Sequence, residues 1–219
     1  MPKRREKQIL GAMVWYCTLA RGHPVHGPFH DTEHGFPVTE DSALLERLTL
    51  EVFQAGLSWE IVLKKRAALR AALADLDPDA LAAFGPSDIE RLMANPALIR
   101  NRRKLEATVV NAQRVVGLRG EHGGFAGWLR AAGPLDLPAW LKRFRGVFVF
   151  VGPEIVGEFL MGVGLIPGAH APSCPVYPAA EDARRRVWSK LKKPARNHKT
   201  VQKGNGHKGR DDSAEAIEG

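Results

Sequence analysis

Between Thr39 and Gly120 one helical pattern follows another, with almost nothing that alternates as a strand does. "TEDSALLERLTLEVFQAG" (39–56) reads as a capped amphipathic helix: Thr39, Asp41 or Ser42 can supply the N-cap, and Gly56 stops it. "SWEIVLKKRAALRAALADL" (58–76) is a second helix with Ser58 as its cap. Residues 77–84 and 85–94 give two short ones, each opening on a Pro. "NPALIRNRRKLEATVVNAQRVVGLRG" (95–120) contains a long helix with Leu105, Val109 and Val110 at helical spacing. "LPAWLKRFRG" (137–146) leads into "VFVFVGPEIVGEFLMGVGL" (147–165), which is apolar, then Gly-Pro, then helix again. The short "VFVFV" is the one run of strand character. The expected fold class is all-α, without internal repeats.

The charge is uneven. The chain carries +8, but residues 184–219 hold eleven Lys/Arg and four Asp/Glu, a net +7. Residues 1–183 hold 21 basic and 20 acidic side chains. The reading is a loose basic start (1–12), one folded domain (13–183) and a basic tail (184–219). Beyond roughly residue 192 the tail is too polar to offset its ordering entropy and is expected to be disordered. Such a tail suits a polyanion. No apolar run is long enough to cross a bilayer, and no clean apolar segment follows the basic N-terminal residues as a signal peptide requires. Two cysteines in 219 residues do not make a disulfide framework, so a cytoplasmic setting is expected.

Those cysteines are suggestive in another way. Cys174 closes "HAPSC", four residues after His170, and Cys17 precedes His30 by thirteen. Two thiolates and two imidazoles suit a tetrahedral Zn²⁺ with no open position. From spacing alone His23, His26 and His34 compete for the place of His30, and two ordinary buried cysteines remain the alternative. Glu51 is the second anomaly. It shares a helical stripe with Leu44, Leu48 and Ala55, where a carboxylate is costly unless a cation or donors meet it. A slightly rotated helix that lets Glu51 reach solvent, or a structural ion pair, is the plainer reading. Third, Gly152 closes a turn between two helices. There a backbone can approach a phosphate and the next helix can offer its amides, although a simple packing corner explains the same residues.

Four segments together resemble bacterial DNA-3-methyladenine glycosylase I, the zinc-containing branch of the helix–hairpin–helix DNA glycosylases. They are "FHDTEHGFPV", "EVFQAGLSWEIVLKKR", "NPALIRNRRKLEATVVNA" and "FVGPEIVGEFLMGVGLIPGAHAPSC", spread over roughly residues 15–176. The resemblance implies a structural zinc held by Cys17, His30, His170 and Cys174. It implies that Glu51 recognises a flipped, cationic 3-methyladenine through the exocyclic amine, as the catalytic-site carboxylate, with Trp59 and Phe29 as aromatic walls. Gln54 and Leu57 would fill and wedge the gap left in the duplex, and the Gly152 amide would hold the DNA backbone. The implied protein is a monomer acting on duplex DNA containing alkylated adenine, associated with the bacterial nucleoid.

Four departures stand out. Phe29 replaces a common Tyr, His34 a common Trp, and Glu154 a usual Thr, while Gly168 and Ala169 precede His170 where Asn-Asp is frequent. A non-catalytic DNA-binding homologue, or a glycosylase for a different alkylated base, are the alternative readings.

Overall fold

The computed structural model describes residues 15–188, and their regular structure is entirely helical. Residues 15–20 form α1. Then follow α2 (His26–Thr32), α3 (Asp41–Gln54), α4 (Trp59–Ala72), a 3-10 turn (Ala74–Leu76), α5 (Pro78–Ala82), α6 (Pro86–Ala94), α7 (Arg102–His122), α8 (Phe125–Ala132), α9 (Leu137–Arg145), α10 (Pro153–Gly162) and α11 (Tyr177–Trp188). No described helix is long and apolar enough to cross a membrane. The basic start (1–12) and the tail beyond Trp188 lie outside the described residues.

Helix α3 is the axis of the fold. It packs against α4, α5, α7, α8 and α10, so Leu44, Leu45, Leu48, Leu50, Val52 and Phe53 are all buried around its circumference. The expected helix over 39–56 is shorter at both ends. Glu40 is its N-cap and makes no side-chain cap bond. At the other end the chain turns out through Gly56 at φ 80°, a conformation that strains any side-chain-bearing residue. Ser58 caps α4 as expected, accepting from the Ile61 amide at 3.4 Å.

The α3–α4 junction is pinned from below. Lys104 of α7 is 4% exposed, and its ammonium donates to the carbonyls of Phe53 (2.9 Å) and Ala55 (2.6 Å). A cation at a helix C-terminus satisfies two orphan acceptors and complements the helix dipole.

The "VFVFV" segment is not a strand. It belongs to the turn between α9 and α10, with Phe150 at φ 56°. Its backbone is satisfied by one side chain instead of a neighbouring strand: Asn111 donates to Val149 O (3.2 Å) and accepts from Val149 N (2.9 Å). Phe148 anchors the turn in an aromatic cluster, 4.7 Å from Phe125, which stacks on Phe159 at 5.5 Å. The expected domain boundary at 183/184 falls inside α11. Trp188 is 3% exposed and its indole N–H donates to Val163 O at 3.1 Å, so the folded unit includes that residue.

Lys104→Met keeps length and apolar stem while removing the ammonium. Two buried carbonyls then lose a charge-assisted donor, so unfolding free energy in urea should fall by about 2–3 kcal/mol; a loss under about 0.5 kcal/mol would show that these bonds do not hold the junction.

Candidate functional site

Three separate parts of the chain converge at one buried point. Cys17 comes from α1, His30 from α2, and His170 and Cys174 from the loop before α11. All four are buried, and one ligand atom from each lies within 4.8 Å of the others. His30 Nε2 is 3.2 Å from His170 Nδ1. The Cys174 sulfur is 3.8 Å from each of those nitrogens, and the Cys17 sulfur 3.9 Å from His170 Nδ1. The other ring nitrogens are engaged outward: His30 Nδ1 with Asp31 Oδ1 at 2.7 Å, and His170 Nε2 with His34 O at 2.7 Å. Each imidazole thereby donates away from the centre and turns its lone pair inward, the arrangement of a metal-ligating histidine with its outer partner. The group can bind a metal. Gly35 makes the close fit possible: it sits at φ 79°, and an added Cβ would stand 2.6 Å from the Ala169 Cβ.

His23, His26 and Glu60 form a second group with converging ligand atoms, but its chemistry is wrong for a metal. His23 Nδ1 accepts from the amides of Val25 and His26, both at 3.2 Å. The neutral ring must then carry its proton on Nε2, which leaves no lone pair there. Glu60 is committed to Lys64 at 2.7 Å.

Next to the four-ligand group lies an aromatic cluster. Phe29, which precedes His30, meets Trp59 edge-on at 5.2 Å and His34 at 5.9 Å. Tyr16, which precedes Cys17, meets His34 at 5.3 Å and His30 at 5.6 Å. Burial, with His170 and His30 as lesser causes, holds His34 down to about 3, so it is neutral at working pH.

The carboxylate expected at the core is there. Glu51 keeps some exposed surface, yet its carboxyl is closely packed. Burial first, and the charge of Glu158 second, push it up to about 8, while Arg47 pulls the other way. Of the plainer readings, a satisfied ion pair does not describe it, since a paired carboxylate would be held below its usual range. Folding favours the protonated acid. Its contribution to stability is therefore complete below its ordinary value of 4.5 and is lost as pH rises through about 8.

Arg47, Glu158 and Tyr16 take part without having been singled out in the sequence, as does Glu33, the partner of Arg47. Arg47, 8% exposed, lies four residues before Glu51 on the same face of α3, and that spacing was the available signal. Its guanidinium is 5.0 Å over the Phe29 ring and 2.6 Å from Glu33, with Nη1 buried and unpartnered among the described residues. Glu33 in turn takes two bonds from Arg66 (2.7 and 2.9 Å). Burial pushes its carboxyl up, but Arg66 and Arg47 hold it below the usual range. Glu158, on α10, is exposed as a residue, yet crowding around its carboxyl first, and the charge of Glu154 second, raise it.

The remaining predicted residues lie at the rim. Gln54 ends α3 and Leu57 sits in the junction, both half-buried. Gly152 is on a different element, as N-cap of α10, with extended backbone (φ −120°, ψ 175°). An added Cβ there would meet nothing within 4 Å, so neither conformation nor internal packing demands glycine. Exposed Glu154 stands in the first turn of the same helix.

Comparison with known proteins adds the following. Residues 19–134, just over half of the chain, match the family described as Methyladenine glycosylase. The chain is 32% identical over 183 residues to DNA-3-methyladenine glycosylase 1 of Escherichia coli, covering 74% of this chain and 96% of that protein. It is 34% identical over 184 residues to the DNA-3-methyladenine glycosylase of Haemophilus influenzae, covering 74% and 98%. Among solved structures, a tyrosine-to-phenylalanine variant of 3-methyladenine DNA glycosylase I in complex with 3-methyladenine superimposes with a TM-score of 0.65 at 33% identity, over 72% of this chain and 95% of that one. The Staphylococcus aureus protein, solved to explain its 3-methyladenine recognition, gives 0.63 at 32%, over 70% and 92%.

The side-chain carbon resonance of Glu51 should titrate with a midpoint near 8, and Glu158→Gln should lower that midpoint by removing the neighbouring negative charge. A midpoint in the ordinary carboxylate range, or one indifferent to Glu158, would show that the carboxyl is solvated.

Proposed function

We propose that this chain, which belongs to the methyladenine glycosylase family, is a base-excision repair glycosylase that hydrolyses the N-glycosidic bond of 3-methyladenine in DNA. The observation that carries the site assignment is a crowded carboxyl, Glu51, raised by burial, whose charge reaches Tyr16 of the aromatic cluster and whose helix neighbour Arg47 lies over the Phe29 ring.

The chemistry asks little of an acid. The methylated base is already cationic in DNA, so the glycosidic electron pair flows into a ring that leaves neutral, and water supplies the oxygen that bonds to C1′. The protein has to extrude the nucleotide, choose the base and exclude alternatives. Trp59 and Phe29 offer stacking faces of a kind that favours a cationic ring. Glu51 accepts from the exocyclic amine. It is neutral in most free molecules near pH 7 and ionises as the cationic base arrives, with the spare Nη1 donor of Arg47 available in its neighbourhood. Gln54 and Leu57, on the junction that Lys104 fixes, are positioned to occupy the space the nucleotide vacates. Gly152 leaves open room for a backbone phosphate at the start of α10. Glu154 works against that contact, since its charge meets the same phosphate.

We take the four-ligand group to hold zinc. Tetrahedral Zn²⁺ with metal–sulfur near 2.3 Å and metal–nitrogen near 2.05 Å requires N···N of about 3.3 Å and N···S of about 3.6 Å. The separations of 3.2 and 3.8–3.9 Å match to within a few tenths of an ångström. Four protein ligands leave no place for a reacting water, so the metal's contribution is to tie the chain together. The substrate is taken to be duplex DNA, bound by a monomer in the cytoplasm. The basic tail, which beyond Trp188 lies outside the described residues, is suited to the same polyanion.

Purified protein should contain one zinc per chain. Cys174→Ser should lower both zinc content and melting temperature, and substoichiometric zinc with unchanged stability in that variant would count against the assignment. Glu51→Gln should slow single-turnover release of 3-methyladenine from methylated duplex by roughly ten- to hundredfold, the worth of about 1.5–3 kcal/mol of charge-assisted bonding. It should weaken DNA affinity far less. The wild-type kcat/KM should rise with pH toward a plateau above about 8, the free-protein value of Glu51, and this rise should vanish in Glu51→Gln. Release at the wild-type rate would remove Glu51 from the pocket.

A further inference from the structure

Two polar atoms carried by rings of the aromatic cluster lack partners among the described residues, His26 Nδ1 and the Tyr16 hydroxyl, and the second lies within electrostatic reach of Glu51. The hydroxyl oxygen of Tyr16 is buried and makes no hydrogen bond with any described residue. The indole N–H of Trp59 approaches it, and the charges of Glu51 and Glu158 reach it, but the indole falls outside hydrogen-bond geometry. The ring itself is well held, edge-on to His26, His30 and His34 at 5.8, 5.6 and 5.3 Å. It is also fixed by sequence, because the next residue is the metal-group ligand Cys17. Leaving a buried hydroxyl unpaired costs on the order of 1–3 kcal/mol, and native structures keep few such groups. A rigid phenol with its oxygen unpaired, beside the proposed base-reading carboxyl, marks a place that a ligand atom completes.

The neighbours say what kind of atom. Glu51 can take the amine hydrogens of adenine. Phe29, the other ring beside Trp59, has no polar atom, and the indole of Trp59 can only donate. The amine edge of adenine also carries a ring-nitrogen lone pair on either side of the amine, and these need a donor. A phenol near neutral pH is protonated and can donate.

Building on the glycosylase reading, we propose that Tyr16 is a base-recognition residue: its hydroxyl donates to a ring-nitrogen lone pair of the flipped 3-methyladenine while Glu51 accepts from the adjoining amine. The two groups together read a donor next to an acceptor, which is the adenine edge. The second contact comes from the first described helix, through the residue before a metal-group ligand, so recognition and closure of the chain are joined in one dipeptide.

The test uses the zinc-loaded full chain and its Tyr16→Phe variant, which loses only the oxygen. Affinity for free 3-methyladenine is measured by calorimetry, and release is followed in single turnovers on methylated duplex. Both should fall three- to tenfold. Zinc content should be equal, and the melting temperature equal or higher, because an unsatisfied hydroxyl has been removed. A 1-deaza or 7-deaza analogue of 3-methyladenine, whichever deletes the lone pair that is read, should bind several-fold more weakly to wild type. The same deletion should cost Tyr16→Phe nothing further, closing a double-mutant cycle. Unchanged binding and release in Tyr16→Phe would overturn the proposal, as would losses that track falling zinc content or melting temperature. A wild-type protein that neither binds nor releases 3-methyladenine would overturn the functional reading itself, and this contact with it.

Discussion

Everything at the site depends on one closure: four buried ligand side chains from three segments, up to 157 positions apart along the chain from Cys17 to Cys174. Its reach extends past the ligands. The residue before Cys17 is Tyr16, the residue before His30 is Phe29, and the carbonyl that orients His170 belongs to His34. The proposed aromatic pocket is thus assembled from the sequence neighbours and outer partners of the closure. A change that loosened the ligands would move the walls with them, which is why a group without a coordination site for substrate can still govern what the pocket admits.

The second constraint is electrostatic. Beneath Phe29 run Arg47, Glu33, Arg66, Glu46 and Arg70, with Arg66 bonded to both acids (2.7–2.9 Å) and Arg70 to Glu46 at 2.8 Å. Such part-buried pairs are weak evidence of stability, because desolvation consumes much of their attraction. Their value here is positional. They hold the guanidinium of Arg47 against Phe29 and within electrostatic reach of Glu51, and they use up Glu33, so that the acid of α3 facing the pocket is left without a full ion pair. On the other side Glu158 adds negative charge. Glu51 is therefore set between a cation committed elsewhere and an acid that opposes its ionisation.

The all-α class and the α3–α4 pair were legible because each leaves a local trace, apolar residues at helical spacing or a Ser cap; the two cysteines marked a possible metal group, but the choice of His30 over His23, His26 and His34 came from the family resemblance and not from spacing. What was not legible rests on contacts far apart in sequence. α2 and α8 are short and set among Gly and Pro residues, so periodicity has little to work with. "VFVFV" alternates like a strand, and only Asn111, 38 residues away, makes it a turn by taking both backbone bonds of Val149. Arg47 and Lys104 look like solvent-facing helix residues until tertiary packing closes over them. Tyr16 gives no sign of its unpaired oxygen, since burial of one atom is a property of the assembled core. Glu51 stood out because a carboxylate on an apolar stripe conflicts with its neighbours, and local conflicts of that kind are expected at functional sites.

On the proposed reading, in which Glu51 faces the flipped base, that conflict supplies a physical basis for selecting damaged over normal adenine. A neutral adenine entering the pocket near pH 7 meets a carboxyl that is mostly protonated and offers it little beyond an ordinary hydrogen bond. A cationic base meets the same carboxyl and makes its ionisation favourable. With a value of about 8, removing the proton at pH 7 costs only about 1.4 kcal/mol. In a crowded site a carboxylate facing a cation recovers more than that, because the surrounding dielectric is low and a charge-assisted bond replaces a neutral one. The proton leaves as the cation enters, and the site stays near neutrality throughout. A carboxylate with an ordinary value would carry its charge at all times and attract any cation. One held far higher would never ionise. On the proposed reading, a value near 8 would let it respond to the charge of the base itself, adding charge to shape in the distinction between alkylated and intact adenine.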